Sequence, residues 1–165
     1  MNLEILNQAV ALGIGATLVM DIWAALLKRL FGVPSLNYAL VGRWILHIKD
    51  GRFQHNSIAA ASPKTGELAI GWFFHYLTGI VFAFFFLMLR GQIWLRTPDM
   101  LSALLAGLIT VSAPFFIMQP AFGAGVAASK TPQPRTARLR SLMAHSAFGL
   151  GLYLSALSIR LISAS

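Results

Sequence analysis

An unbroken apolar run decides the fold of this chain: residues 68–89 read LAIGWFFHYLTGIVFAFFFLML. A helix needs about 20 mostly apolar residues to cross the hydrocarbon core of a membrane, and this run has that length. Backbone N–H and C=O groups cannot remain unpaired in lipid, so a spanning segment of this composition is helical. Its one histidine, His75, therefore requires a polar partner from elsewhere in the protein.

Three further apolar segments have the same length and composition. The chain is 57% hydrophobic and only 11% charged over 165 residues, with a mean hydropathy of +0.71. A soluble domain carries about 25% charged residues, so this composition favours a membrane protein. We predict an all-α integral membrane four-helix bundle that forms a single transmembrane domain over residues 1–165. Its spans are residues 7–27, 68–89, 100–122 and 141–162.

The basic residues lie between the spans, and they indicate the orientation. Net charge is +8, and most basic residues fall in the connections 28–67 and 123–140, whereas residues 90–99 hold few. Basic connections remain in the cytoplasm, so both chain termini are expected on the outer, periplasmic side. This placement predicts a bilayer with anionic lipids as the partner, and no nucleic acid. The expected headgroup or anion contacts are Lys28, Arg29, Arg43, Lys130, Arg138 and Arg140.

The first long connection contains an apolar stretch of its own. Residues 36–48 read LNYALVGRWILHI, with Arg43 and His47 four positions apart. That spacing places both on one face of a helix. The stretch predicts a short amphipathic helix in the cytoplasmic interface, with Trp44 and Tyr38 at headgroup depth. The alternative is a simple loop with some buried apolar residues. The second long connection is rich in Gly, Ser and Pro, which predicts irregular structure.

Each span carries one strongly polar side chain. These are Asp21, His75, Gln119 and His145, and all four fall in the cytoplasmic third of the predicted bilayer. Small residues recur every four positions in the same rows as Asp21, His75 and His145, which is typical of faces where membrane helices pack closely. We therefore predict that the four side chains converge and form a substrate or proton relay with Thr17 and Thr78. The alternative is that they only hold helices together.

Three functions fit this pattern. The first is a small transporter or permease, because Asp and His residues inside spans are typical of proton-coupled carriers; four spans are few, so a homodimer is expected. The second is a haem or divalent-metal protein that uses His75, His145 and Asp21 as ligands; the first function requires no cofactor. The third is a structural or accessory subunit of a membrane complex. An enzyme is not favoured, since the chain has no Ser–His or paired-carboxylate signature. It also has no cysteine, which excludes disulfides and thiolate sites.

Several longer motifs resemble a known family. They are LGIGATLVMDIW, PSLNYALVGRW, GRFQHNSIAAASP, GWFFHYLTG, APFFIMQPAFGAGVAASKTP and ARLRSLMAHSAFGLGLY. Together they are similar to a family of small bacterial inner-membrane proteins that is defined only as a domain of unknown function. The resemblance covers nearly the whole chain. It implies a four-span, multi-pass protein of the bacterial inner membrane, but no activity and no site.

Overall fold

The computed structural model describes the backbone of residues 3–164 and the side chains of residues 3–162, and this part of the chain is helical with no β-strand. Four of its helical segments are long and apolar enough to cross a membrane, as predicted. They are Leu3–Phe31, Glu67–Arg90, Met100–Ala121 and Pro134–Ile162. The predicted fold class, an all-helical chain with four such segments, is therefore confirmed.

Two helices are longer than the predicted spans. Helix α1 covers Leu3–Phe31 and exceeds the predicted 7–27 at both ends. The last helix begins at Pro134, not at residue 141, so the prediction that residues 134–140 are irregular was wrong. Proline is well suited to the first position of a helix, because its φ is already helical and its missing N–H would have had no partner there.

The third span is interrupted in its second half. Helix α5 covers Met100–Thr110, and a π-helical segment follows over Pro114–Met118 before the short helix α6, Gln119–Ala121. Pro114 has no N–H to donate to the preceding turn, which disturbs the regular pattern. The N–H of Gln119 donates to the carbonyl of Pro114, five residues earlier. Single π-helical turns are frequent at functional sites.

The chain forms two compact units. Unit 1 comprises the residues up to Ser35, Tyr76–Thr110 and the residues from Ala144 onwards; unit 2 comprises Leu36–His75 and Val111–Met143. Helix α3, Glu67–Arg90, and helix α7, Pro134–Ala164, each contribute to both. The core of unit 1 consists of small and large apolar side chains from several helices. It includes Ala9, Leu12, Ala16, Ala83, Leu87, Trp94, Phe148 and Leu152.

Within unit 1, α1 and α3 approach each other through glycine. A Cβ atom built on Gly13 would lie 2.5 Å from the Cα of Ile80, which no real contact tolerates. On the partner helix, Gly79 packs against the hydroxyl of Thr17, whose side chain is 1% exposed. The predicted row of small residues on α1 therefore does mark a close helix contact, as is common in membranes.

A carboxylate outside the spans fixes one end of unit 1. Asp99 precedes helix α5 and accepts hydrogen bonds from the backbone N–H and the hydroxyl of Ser102, at 2.8 and 2.6 Å. It also accepts from Trp94 Nε1 at 3.0 Å, and Trp94 belongs to helix α4, Ile93–Arg96. Asp99 thus acts as an N-cap, which satisfies a backbone donor that the helix leaves unpaired.

Unit 2 contains the short helix predicted in the first connection. Helix α2 covers Tyr38–Ile48, and the side chain of Asn37 accepts a hydrogen bond from the backbone N–H of Ala39 as its cap. Gly42 of α2 and Gly71 of α3 allow the two backbones to touch, because a Cβ on Gly42 would overlap the carbonyl of Glu67 and one on Gly71 that of Tyr38. The existence of this helix is confirmed; its place in the membrane interface stays a prediction.

An ion pair connects α2 to the start of α3. Arg43 Nε and Nη2 donate to the two carboxylate oxygens of Glu67, both at 2.8 Å. Its Nη1 donates to the carbonyls of Ala59 and Ala61, at 3.2 and 3.0 Å. The two charged side chains are 11% and 16% exposed, so they are largely withdrawn from water. Arg43 therefore holds together three segments of unit 2.

Replacing Arg43 tests this role. In Arg43→Ala, the Glu67 carboxylate loses its charged partner in a poorly solvated place and keeps the backbone N–H of Lys64. We expect a loss of about 3 kcal/mol in the free energy of unfolding. Arg43→Lys keeps the charge but not the paired donors, so its loss should be smaller. The measurement is thermal or denaturant unfolding in detergent. The control is Arg52→Ala, at an exposed position in the loop after α2. Equal stability of the Arg43→Ala and Arg52→Ala variants would contradict the role.

Asp99 gives the structure a pH dependence with a definite sign. The hydrogen bonds from Ser102 and Trp94, together with the charge of Arg90, lower the pKa of Asp99 to about 2 from its usual 3.8. The folded state therefore keeps the carboxylate charged at a pH where the unfolded chain binds a proton. The stabilisation is complete above the unfolded pKa and is lost as pH falls through the folded one.

Trp94 reports this titration directly, because its indole N–H donates to the Asp99 carboxylate. We expect a change in tryptophan fluorescence with a midpoint near pH 2, and no such change in Asp99→Asn. Subtracting the Asp99→Asn titration from that of the wild type removes the fluorescence changes of the other tryptophans and leaves that of Trp94. A midpoint at the ordinary aspartate pKa would show that these hydrogen bonds do not stabilise the charged form.

Candidate functional site

Each of the four polar residues predicted inside the spans is half-buried and shares a hydrogen bond with a hydroxyl group on another helix. We call these contacts the polar pairs. They are Asp21 with Tyr76, His145 with Thr110, His75 with Tyr38, and Gln119 with Ser141. The first two belong to unit 1 and the last two to unit 2.

In unit 1, Asp21 of α1 pairs with Tyr76 of α3. The phenol donates to Asp21 Oδ2 at 3.0 Å. One turn earlier on α1, Thr17 is fully buried, and its hydroxyl donates to the carbonyl of Gly13 at 2.8 Å. The hydroxyl of Thr17 is thus used within its own helix and against Gly79, whereas the carboxylate of Asp21 is bound by a side chain that can both give and take a proton.

The second pair of unit 1 joins α5 and α7. Thr110 Oγ1 lies 2.7 Å from His145 Nδ1 and 2.6 Å from the carbonyl of Gly107. A carbonyl oxygen can only accept, so when the hydroxyl donates to Gly107 the histidine nitrogen must donate to the hydroxyl. The helices meet closely here, because a Cβ on Gly149 would lie 2.7 Å from the carbonyl of Ala103. His145 therefore sits on a packed face of α7, as its row of small residues predicted.

In unit 2, His75 lies in an aromatic cluster between α2 and α3. Its Nε2 is 2.9 Å from the hydroxyl of Tyr38. The Tyr38 ring also lies 4.4 Å from the His75 ring and 4.2 Å from that of Trp72, measured between centroids. Tyr38 packs against α3, where it is the partner that the histidine of the opening stretch requires. Its predicted headgroup depth stays a prediction.

The second pair of unit 2 follows the π-helical segment. Gln119 Nε2 donates to Ser141 Oγ on α7 at 3.3 Å. The amide oxygen of Gln119 is buried and has no hydrogen-bond partner among the described residues. A buried acceptor without a donor is uncommon and costs about 1–3 kcal/mol, so this atom is a point where a water or a ligand group would be bound favourably.

Sequence reasoning found the four polar residues but missed their hydroxyl partners. Tyr and Ser are common in membrane helices, and neither charge nor spacing distinguishes Tyr76 or Ser141 from other such residues. The one sequence signal that pointed to a hydroxyl partner was the position of Tyr76, which directly follows His75 in the chain. The predicted convergence of all four polar residues in one cluster stays a prediction. A role for Thr78 in the relay also stays a prediction; the Thr78 side chain lies on the exposed surface of the folded chain.

The predicted lipid contacts divide into two groups. Five of the basic side chains are exposed, which agrees with a role at a headgroup surface; they are Lys28, Arg29, Lys130, Arg138 and Arg140. One of these, Arg138, also donates from Nε to the carbonyl of Ala127 at 2.8 Å. Arg43 differs, because its donors are engaged by Glu67 and by backbone carbonyls. Its predicted headgroup contact stays a prediction.

The alternative prediction of a metal or haem at His75, His145 and Asp21 finds no additional support. Over the side chains that the structure describes, no three His, Asp or Glu residues stand together as a ready set of metal ligands. Each of the three has a hydroxyl partner instead. Cofactor binding by these residues stays a prediction.

Comparison with known proteins agrees with the resemblance seen in the motifs. Residues 10–159 match the model of a family described as "Protein of unknown function (DUF2938)". No curated protein and no solved structure matches the chain. Because the matched segment covers nearly all of the sequence, the chain belongs to this family of unknown function, DUF2938.

Proposed function

We propose that this membrane protein is a small proton-coupled transporter in which the polar pairs carry the proton. The observation that supports it is the pairing itself: two histidines, one aspartate and one glutamine of the spans each share a hydrogen bond with a hydroxyl group on another helix. Ionisable residues inside a span are costly and are mostly kept for function.

Hydroxyl partners suit this function for a chemical reason. A hydroxyl accepts a proton on one lone pair while it releases its own, so it passes a proton on without holding a charge. Asp21 and the two histidines supply groups that can bind and release a proton. In this proposal Asp21 and His145 hold the transported proton in unit 1, with Tyr76 and Thr110 as their exchange partners.

The orientation and membrane follow from the charges. Unit 2 contains eight Lys and Arg residues against two acidic ones, and all eight lie in or beside the two long connections. In this proposal these connections are cytoplasmic and both termini periplasmic, which the charge distribution supports, and the membrane is the bacterial inner membrane that the family resemblance implies. Because four spans enclose little space, the transporter acts as a homodimer.

Proton flux into vesicles tests the function. Purified protein is reconstituted with a pH-sensitive dye inside the vesicles, and an inward-driving membrane potential is imposed with a potassium gradient. The measurement is repeated with panels of amino acids, carboxylic acids and amines outside. We expect proton entry above that of protein-free vesicles, and a fall to the protein-free rate in Asp21→Asn, because an amide cannot bind the proton.

Two tyrosine variants provide a matched comparison. Tyr76→Phe removes the hydroxyl that donates to Asp21, so proton entry should fall as in Asp21→Asn. Tyr153→Phe removes a hydroxyl on α7 outside the polar pairs, so the rate should not change. Proton entry that never exceeds the protein-free rate, or that is equal in wild type, Asp21→Asn and Tyr76→Phe, would overturn the proposed function.

A structural role is the second candidate, and the close glycine contacts favour it. If the polar pairs only hold helices together, proton entry stays at the protein-free rate in every variant, and removal of a pair changes stability alone. Hydrogen bonds between membrane helices contribute about 0.6 kcal/mol on average, so each variant should then lose about this much in unfolding measurements. Measuring unfolding on the same Asp21 and Tyr76 variants distinguishes the two roles.

A further inference from the structure

Two histidines of unit 2 lie together outside the polar pairs. His47, near the end of α2, is 3% exposed. His55 follows in the loop after α2, and the two ring centroids are 5.1 Å apart with the planes inclined at 67°. His47 Nδ1 and both ring nitrogens of His55 are buried without a hydrogen-bond partner among the described residues. Such atoms are rare in native proteins, and three in one place indicate that something binds there.

The hydrogen bond on the other side of the His47 ring fixes which nitrogen is free. His47 Nε2 lies 3.0 Å from the carbonyl oxygen of Ser62, which can only accept, so Nε2 carries the hydrogen. In the neutral ring Nδ1 then presents its lone pair. The nearest charged oxygen is Asp50 Oδ2, at 3.8 Å from Nδ1. That oxygen is already paired with Lys64 Nζ, so His47 Nδ1 is the atom left without a hydrogen-bond partner among the described residues.

Both ring nitrogens of His55 are buried, and neither has a hydrogen-bond partner among the described residues. A neutral imidazole always has one nitrogen with a free lone pair. The backbone on either side is fixed as well, because the His55 N–H donates to the carbonyl of Ala121 at 2.9 Å.

We propose that His47 Nδ1 and one ring nitrogen of His55 bind a transition-metal ion of the Zn²⁺ or Cu²⁺ class. Imidazole suits both ions, and a ligating histidine usually donates its other N–H to a carbonyl or carboxylate, as His47 does to Ser62. No ready set of three His, Asp or Glu ligands exists among residues 3–162, so water completes the coordination. Asp50, whose carboxylate also accepts from Lys64 Nζ at 2.5 Å, balances the charge.

The metal would connect α2 with the segment that follows the π-helical turn. His47 belongs to α2, while the loop of His55 is bound along Pro120, Ala121 and Phe122 through Gln54, His55 and Ile58. An ion that binds only the folded state stabilises it in proportion to its occupancy. This site is independent of the proposed proton-coupled function, so a result that overturns one proposal leaves the other unaffected.

Metal titration of the whole protein tests the site. Protein purified in mild detergent and treated with a chelator is titrated with Zn²⁺ by calorimetry, and with Cu²⁺ by electron paramagnetic resonance. We expect one ion per chain, a rise in unfolding temperature, and weaker binding as pH falls because protons compete for the ring nitrogens. His47→Gln and His55→Gln should each weaken binding by about 100-fold or more, at least the loss that an outer-shell change causes.

The matched controls are His75→Gln and His145→Gln, which should bind as the wild type does. A measurement on the wild type avoids variants that fail to fold: with ¹⁵N-labelled histidine, Zn²⁺ should shift the ring-nitrogen signals of two of the four histidines. Absence of Zn²⁺ and Cu²⁺ binding by the wild type overturns the site. So does binding that persists in both His47→Gln and His55→Gln, or that is lost instead in His75→Gln and His145→Gln.

Discussion

The close approach of helix backbones is the constraint on which the rest of this structure depends. Lipid tails are as apolar as leucine side chains, so helices in a membrane gain little from hiding apolar surface and must gain from contact instead. Gly13 in unit 1 and Gly42 in unit 2 stand where any side chain would strike the neighbouring backbone. These contacts set the distances at which Asp21 and His75 meet the hydroxyls of other helices, and a hydrogen bond tolerates only a few tenths of an ångström.

The polar groups follow a common rule in both units. A polar side chain in a poorly solvated place needs a partner, and here the partner is a hydroxyl group for Asp21, His75, Gln119 and His145. The exception to the rule is informative. Arg43, in unit 2, meets a full negative charge instead, because a carboxylate compensates a guanidinium that is withdrawn from water.

The sequence predicted most of the fold and about half of the candidate site. The four spans were readable because a membrane imposes a length and an apolar composition that few soluble segments share. The close helix contacts at Gly13 and Gly149 were predictable from the rows of small residues, because only small residues allow two helices to pack so closely. The hydroxyl partners were not predictable, since Tyr38 and Ser141 are distant in sequence from the residues they bind, and tyrosine and serine are common residues. The helical start at Pro134 was hidden by polar residues that resemble a loop.

The π-helical turn at Pro114–Met118 determines the direction in which the Gln119 side chain leaves the helix. A π-turn holds about one residue more than an α-turn, and each residue in an α-helix advances the chain by about 100°. Loss of a single residue there would restore a regular helix and leave the Gln119 amide beside Ser141, whereas an α-helix of the present length would turn it away by that angle. The π-turn therefore takes up one extra residue and keeps the hydrogen bond to Ser141 in place.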